Sequence, residues 1–358
     1  MSDYTTGDYQ AAEDVYSFLQ GFYVKYPALV TRDLYLSGES YGGHYVPSFS
    51  KSIVTHNNNG DKPVVPLKGF AVGNAWTVAE LDNTGAVEYW YSRTMIDSAT
   101  RAGIYATCNM SDIGPLLAQR GSPRASRVVR PASDTEVEMG VKVPARPLGF
   151  TPLRDGAGKP ILHNGDDCDT IVNAAFNNLG GIDIYDSYVD VCPSKAVPEA
   201  TDNNNNAAGC ATTFDPCRDD KTTTYLNTPS VKAAIHANAS ITWTGCSNIV
   251  NYSRFDLLSS MLPTYEFLIA AGLRIWVYSG DVDAIVPTVG TRSWLEALPL
   301  TQTAALHPWM VNGQVGGWTT EFNELTFATV RNAGHFVPEL QGERALYMFS
   351  TFLAGGKL

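Results

Sequence analysis

The stretch that decides the fold is Leu34-Tyr35-Leu36-Ser37-Gly38-Glu39-Ser40-Tyr41-Gly42-Gly43-His44-Tyr45-Val46-Pro47. An apolar run ends in Gly38-Glu39-Ser40-Tyr41-Gly42, and a helix-like segment follows. This is G-x-S-x-G between a predicted strand and a predicted helix. The spacing suits a nucleophile elbow. There the chain turns so sharply that the serine takes a strained backbone, and small residues two before and two after it avoid a clash. The hydroxyl then stands at the strand's carboxyl end, beside the positive end of the next helix. The bare pattern arises by chance in roughly one chain in ten of this size, so its partners decide the reading.

Those partners should follow in the order Ser, Asp, His. Leu273-Arg274-Ile275-Trp276-Val277-Tyr278-Ser279 is strand-like and ends in Gly280-Asp281-Val282-Asp283. Leu325-Thr326-Phe327-Ala328-Thr329-Val330 is also strand-like and leads into Ala333-Gly334-His335-Phe336-Val337-Pro338. A serine hydroxyl is a poor nucleophile at neutral pH and needs a base. His335 lies just past a strand, where catalytic groups of open α/β sheets collect. An acid must then hold the imidazole tautomer and stabilise its cation. Asp281 and Asp283 both qualify by location.

The stretches GESYGGHYVP, SGDVDAIVP and NAGHFVP, in that order, resemble the serine carboxypeptidase family, including its plant carboxypeptidase-like members. Val72-Gly73-Asn74-Ala75-Trp76, Glu88-Tyr89-Trp90-Tyr91-Ser92 and Asn312-Gly313-Gln314-Val315-Gly316-Gly317-Trp318 extend the resemblance through most of the chain. It implies an α/β-hydrolase: a doubly wound, mostly parallel sheet with an inserted, mainly helical cap. It implies catalysis by Ser40, Asp283 and His335, with the family's G-D-x-D loop favouring Asp283 over Asp281. One oxyanion donor would be the backbone N–H of Tyr41. Glu39 would bind the substrate's C-terminal carboxylate while protonated. In the family it shares a proton with a second glutamate, which raises one pKa and suits acid pH. No cofactor or metal is implied, and the partner would be a peptide or protein with a free C-terminus. Two alternatives remain open: an acyltransferase using glucose-ester donors, and a non-catalytic truncated relative.

The chain has 358 residues and a net charge of −11. That charge argues against nucleic acid or an anionic membrane as partner. The longest apolar run, residues 265–278, is broken by Glu266 and Arg274 and is too short to span a bilayer. None of the six cysteines forms a C-x-x-C pair, so zinc and dithiol redox motifs are not indicated. By resemblance Cys108 pairs with Cys168 and Cys192 with Cys217. Cys246 matches a family cysteine bonded to an upstream loop, and Cys210 has no assigned partner. Sequons at Asn109, Asn238 and Asn251 are candidate glycosylation sites. Cysteines and sequons together fit a secretory history, with the vacuole, lysosome or exterior as destinations by resemblance. Met1-Ser2-Asp3-Tyr4 is not a signal peptide.

Periodicity predicts helices over 8–26, 41–53, 257–271, 291–298 and 340–353, with strands at 34–36, 67–72, 273–279 and 325–330 and a hairpin around Gly313. Strands alternating with helices indicate a parallel, doubly wound sheet. Residues 121–160, with Arg120, Arg124, Arg127 and Arg130 in or beside them, read as an exposed loop, and Asn203-Asn204-Asn205-Asn206 marks another. The core is expected over 1–76 and 254–358 and the cap over 77–253. The elbow at residue 40 comes early for this family. The resemblance therefore implies that the sheet's first strands, the second oxyanion donor and the partner of Glu39 lie on a segment absent from the chain. Loss of one oxyanion donor typically costs about 2.7–4 kcal/mol.

Overall fold

The computed structural model describes residues 4–112, 168–192, 215–245, 250–323 and 325–358. The predicted loops at 121–160 and 203–206, the four arginines of the first, and Cys210 and Cys246 lie outside the described residues.

The chain opens with a two-residue strand, β1 (Thr5–Thr6), and helix α1 (Asp8–Lys25). Strand β2 (Leu34–Glu39) leads into α2 (Gly42–Asn59), and β3 (Leu67–Gly73) follows. Five helices come next: α3 (Ala79–Ser92), α4 (Ser98–Thr107), α5 (Cys168–Leu179), α6 (Arg218–Leu226) and α7 (Pro229–Ala234). After β4 (Asn251–Tyr252), which pairs with β1, come α8 (Arg254–Leu258) and α9 (Leu262–Ala270). Strand β5 (Arg274–Gly280), α10 (Thr288–Ala297), β6 (Gln302–Val311), β7 (Gln314–Phe322) and β8 (Leu325–Val330) complete the sheet. The short α11 (Val337–Leu340) and the longer α12 (Gly342–Ala354) close the chain.

The main sheet runs β2-β3-β5-β8-β7-β6. Its first four strands are parallel, and β7 and β6 are antiparallel. Strand β5 reads as an unbroken apolar run because both its faces are covered. Ile275 and Val277 pack with Phe70, Val72, Leu268 and Trp294 beneath α9 and α10. Trp276 and Tyr278 face the other way, against Ala328, Val330, Met348 and Phe352. Helices on both faces of a mostly parallel sheet are the doubly wound plan. Strand β2 forms one edge of the sheet, and no residue of it is fully buried. Beside it, α1 and α2 share Tyr16, Leu19, Tyr23 and Ile53 as a separate apolar cluster.

Three elements differ from the sequence expectation, the first being α2, which runs to Asn59, six residues past its predicted end. The helix predicted over 257–271 is broken into α8 and α9. Ser259 takes an extended backbone, and Pro263 in the first turn of α9 suits a helix start. The hairpin around Gly313 is far longer than its turn suggested. Asn312 (φ 49°) and Gly313 (φ 74°) form a two-residue turn between Val311 and Gln314. Both φ values are positive, as the tight turns matched to strand twist require.

The topology brings four strand ends together. β2, β3, β5 and β8 are neighbours and parallel, so Ser40, Asn74, the Asp281–Asp283 loop and the His335 loop emerge on one side. Gly280, the last residue of β5, lies so close to the last of these that a Cβ there would stand 2.1 Å from Gly334 O and 2.3 Å from Ala333 O. Glycine is required by that approach.

Candidate active site

Ser40 follows β2 directly and has φ 61°, the left-handed region that a non-glycine residue rarely adopts. The turn is pinned by backbone bonds. Ser40 N donates to Gly73 O at 3.0 Å, and Ser40 O accepts from Gly43 N and Trp76 N, each at 2.9 Å. A Cβ on Gly38 would meet Val46 Cγ2 at 2.7 Å, so the tight turn does demand a small residue before the serine. A Cβ on Gly42 would meet nothing within 4 Å. The two glycines of the motif do approach one another, since the same Cβ on Gly38 would stand 3.2 Å from Gly42 Cα. The backbone N–H of Tyr41 precedes the first helical bond of α2 and has no backbone acceptor among the described residues. Free N–H groups at a helix start suit an anion.

His335 is 1% exposed and Asp283 is 0% exposed. His335 Nδ1 lies 2.7 Å from Asp283 Oδ2. The carboxylate is held from several sides. Its Oδ1 accepts from Ile285 N at 2.8 Å and Val286 N at 3.3 Å, and its Oδ2 accepts from Asn74 Nδ2 at 2.8 Å. The sequence left Asp281 and Asp283 equal by location. The structure brings Asp283 to the imidazole, whereas Asp281 Oδ1 accepts from Asn332 N at 2.6 Å. The base loop is also tied to the segment between β3 and β5, since His335 N donates to Tyr185 O at 2.6 Å.

The other imidazole nitrogen does not hydrogen-bond to Ser40 among the described residues; Glu39 Oε1 stands 2.8 Å from Nε2. Yet Nε2 has no aligned hydrogen-bond partner. Burial acts to lower the His335 pKa. The charge and hydrogen bond of Asp283, followed by Glu39, outweigh it and push the pKa up to about 9. The expected glutamate–glutamate pair is not seen among the described residues, where Glu39 faces an imidazole. A cavity of about 350 Å³ opens beside Glu39, lined by Ser37, Gly38, Tyr278, Phe336, Pro338 and Glu339. The Glu339 carboxylate is ion-paired with Arg218. A larger cavity of about 570 Å³, lined by Arg292, Glu296, Trp318, three threonines and apolar side chains, includes neither Ser40 nor His335.

Tyr41's ring belongs to a second polar group behind the elbow. Asp8 Oδ2 lies 2.8 Å from His44 Nδ1 and accepts from the Tyr41 hydroxyl at 3.3 Å, while Asp8 Oδ1 accepts from Tyr252 at 2.5 Å. Burial, then the charge of Asp8 for Tyr41 and the hydrogen bond to Asp8 for Tyr252, raises the two pKa values. Cys108 is bonded to Cys168 and Cys192 to Cys217, each with Cα atoms 4.7 Å apart. Asn109, Asn238 and Asn251 are all exposed. No helix among the described residues is long and apolar enough to cross a membrane. Sequence reasoning missed Asn74. It stood inside a stretch quoted only for resemblance, and its signal was an asparagine directly after a buried strand.

The model of the serine carboxypeptidase family matches residues 1–355. Serine carboxypeptidase 24 of Arabidopsis thaliana is 35% identical over 99% of this chain and 68% of its own length. Serine carboxypeptidase II-1 of Hordeum vulgare is 32% identical over 98% of this chain and 94% of its own length. Among solved structures, Kex1(Δ)p, a prohormone-processing carboxypeptidase from Saccharomyces cerevisiae, superposes with a TM-score of 0.65 at 18% identity. That match covers 96% of this chain and 66% of the yeast chain, and it speaks for the fold.

Proposed function

The chain belongs to the serine carboxypeptidase family, and we propose that it hydrolyses C-terminal peptide bonds through Ser40, His335 and Asp283. The observation that carries this reading is the strained Ser40 emerging on the same side of the sheet as a buried His335–Asp283 pair at 2.7 Å. In the proposed reaction the Ser40 hydroxyl gives its proton to His335 Nε2 as Oγ bonds to the scissile carbonyl carbon. The Tyr41 N–H faces the resulting oxyanion. Collapse breaks the C–N bond, and Nε2 returns the proton to the departing amine. Water, deprotonated by the same nitrogen, then releases the acyl group. Glu39, when protonated, donates to the substrate's free carboxylate. A peptide with a free C-terminus is the proposed partner, and the two disulfides support a secretory setting.

The test uses an N-blocked dipeptide and its C-terminal amide. Amino acid should be released from the free acid and far more slowly from the amide. Ser40→Ala should lower the rate by roughly 10⁶. Acyl transfer from a glucose ester to an alcohol without peptide cleavage would contradict this reading in favour of a transferase.

A further inference from the structure

Asn74 follows the last residue of β3 and is completely buried, with φ 43°. Asparagine is among the few non-glycine residues that take this left-handed conformation readily. Its backbone N donates to Tyr278 O at 2.8 Å, which fixes the turn against β5. Its side chain then bridges two groups. The side-chain oxygen accepts from Gly280 N at 3.0 Å, and Nδ2 donates to Asp283 Oδ2 at 2.8 Å. The orientation of the amide follows from chemistry. A backbone N–H only donates, so oxygen must face Gly280, and the NH₂ group is left for Asp283.

That orientation bears on the base. Asp283 Oδ2 receives both Asn74 Nδ2 and His335 Nδ1, while Oδ1 receives backbone N–H groups from Ile285 and Val286. Every donor on this carboxylate opposes its rotation. An ionised Oδ2 can only accept, so His335 must carry hydrogen on Nδ1. In the neutral imidazole Nε2 is then the acceptor.

We propose that Asn74 is a positioning residue: its amide holds the Asp283 carboxylate and, through it, selects the His335 tautomer that can take a proton from Ser40. This rests on the proposed acyl-transfer reading. Asn74 touches neither substrate nor nucleophile in this scheme and acts only through Asp283.

Two variants test it. Asn74→Gly keeps the left-handed backbone and deletes the amide. Asn74→Asp keeps the shape and places a carboxyl group against Asp283. When neutral, that group can still donate O–H to Asp283 Oδ2 and accept from Gly280 N. When ionised, it repels Asp283. The readouts are the rate of Ser40 labelling by a fluorophosphonate across pH and the imidazole N–H proton signal of His335 by NMR. For Asn74→Gly the labelling rate should fall about ten- to a hundredfold, and the Nδ1–H signal should shift or broaden. For Asn74→Asp labelling should be lost at neutral pH and recover only at higher pH, because a second carboxylate beside Asp283 holds His335 protonated, a displacement of the profile that a merely structural role would not give. If Asn74→Gly does not fold, the Asn74→Asp profile and its NMR signal decide. Unchanged labelling and an unchanged His335 signal in folded variants would overturn the proposal, provided that Asp283→Asn abolishes labelling. If Asp283→Asn also changes nothing, the acyl-transfer reading itself fails. The His335 signal reports on Asn74 even in a chain that does not label.

Discussion

Asp283→Asn is expected to slow acylation of Ser40 roughly 10⁴-fold. Asp283 is completely buried and stands 2.7 Å from His335 Nδ1. An amide in its place offers an NH₂ group as readily as an oxygen. If nitrogen faces His335, the imidazole must accept at Nδ1 and carry its hydrogen on Nε2, the wrong side for taking a proton from serine. The variant also removes the charge that does most to raise the His335 pKa against burial. The imidazolium formed during attack is then less stable. Shape is conserved, so the fold should persist, and circular dichroism would check that. The measurement is the second-order rate of fluorophosphonate labelling at one pH. A loss below tenfold in a folded protein would mean that Asp283 does not serve His335.

Glu39→Gln is expected to move the pH profile of labelling towards acid by about one unit. The sign follows from the charges around His335. Its pKa stands at about 9, so the imidazole is protonated at neutral pH and becomes a base only as pH rises. Glu39 Oε1, 2.8 Å from Nε2, contributes to that shift. Removing its charge lowers the pKa, and the free base is reached at lower pH. Glu39 is 31% exposed, so solvent screens it and the lower end of the usual range applies. A neutral fluorophosphonate has no carboxylate, which separates this effect from substrate binding. An unchanged midpoint would mean that Glu39 and His335 do not sense one another.

The ends of the parallel strands were the legible part of the sequence. Strand β5 is buried on both faces and reads as an apolar run from Ile275 to Tyr278, and β8 carries mostly buried apolar residues, so the polar residues that follow them stand out. Ser40 was legible for a similar reason, because Gly38 marks a place where no side chain fits. The choice between Asp281 and Asp283 was not. It depends on how Asn332 and His335 in a distant loop are presented, and no local pattern carries that. Asn74 was hidden for the same cause, since its partners Gly280 and Asp283 lie more than two hundred positions away. The break between α8 and α9 was available in Ser259-Ser260 and Pro263, but the apolar spacing on either side masked it. The contact of Glu39 with His335 was also beyond reach. Family resemblance pairs Glu39 with a carboxyl, whereas the described residues offer it an imidazole.

The most direct measurement is fluorophosphonate labelling of the folded chain with the adduct mapped by mass. The expected result is one adduct, on Ser40, absent from Ser40→Ala and from His335→Ala. A folded chain that takes no label, or takes it on another serine, would contradict the claim that Ser40 is an activated nucleophile.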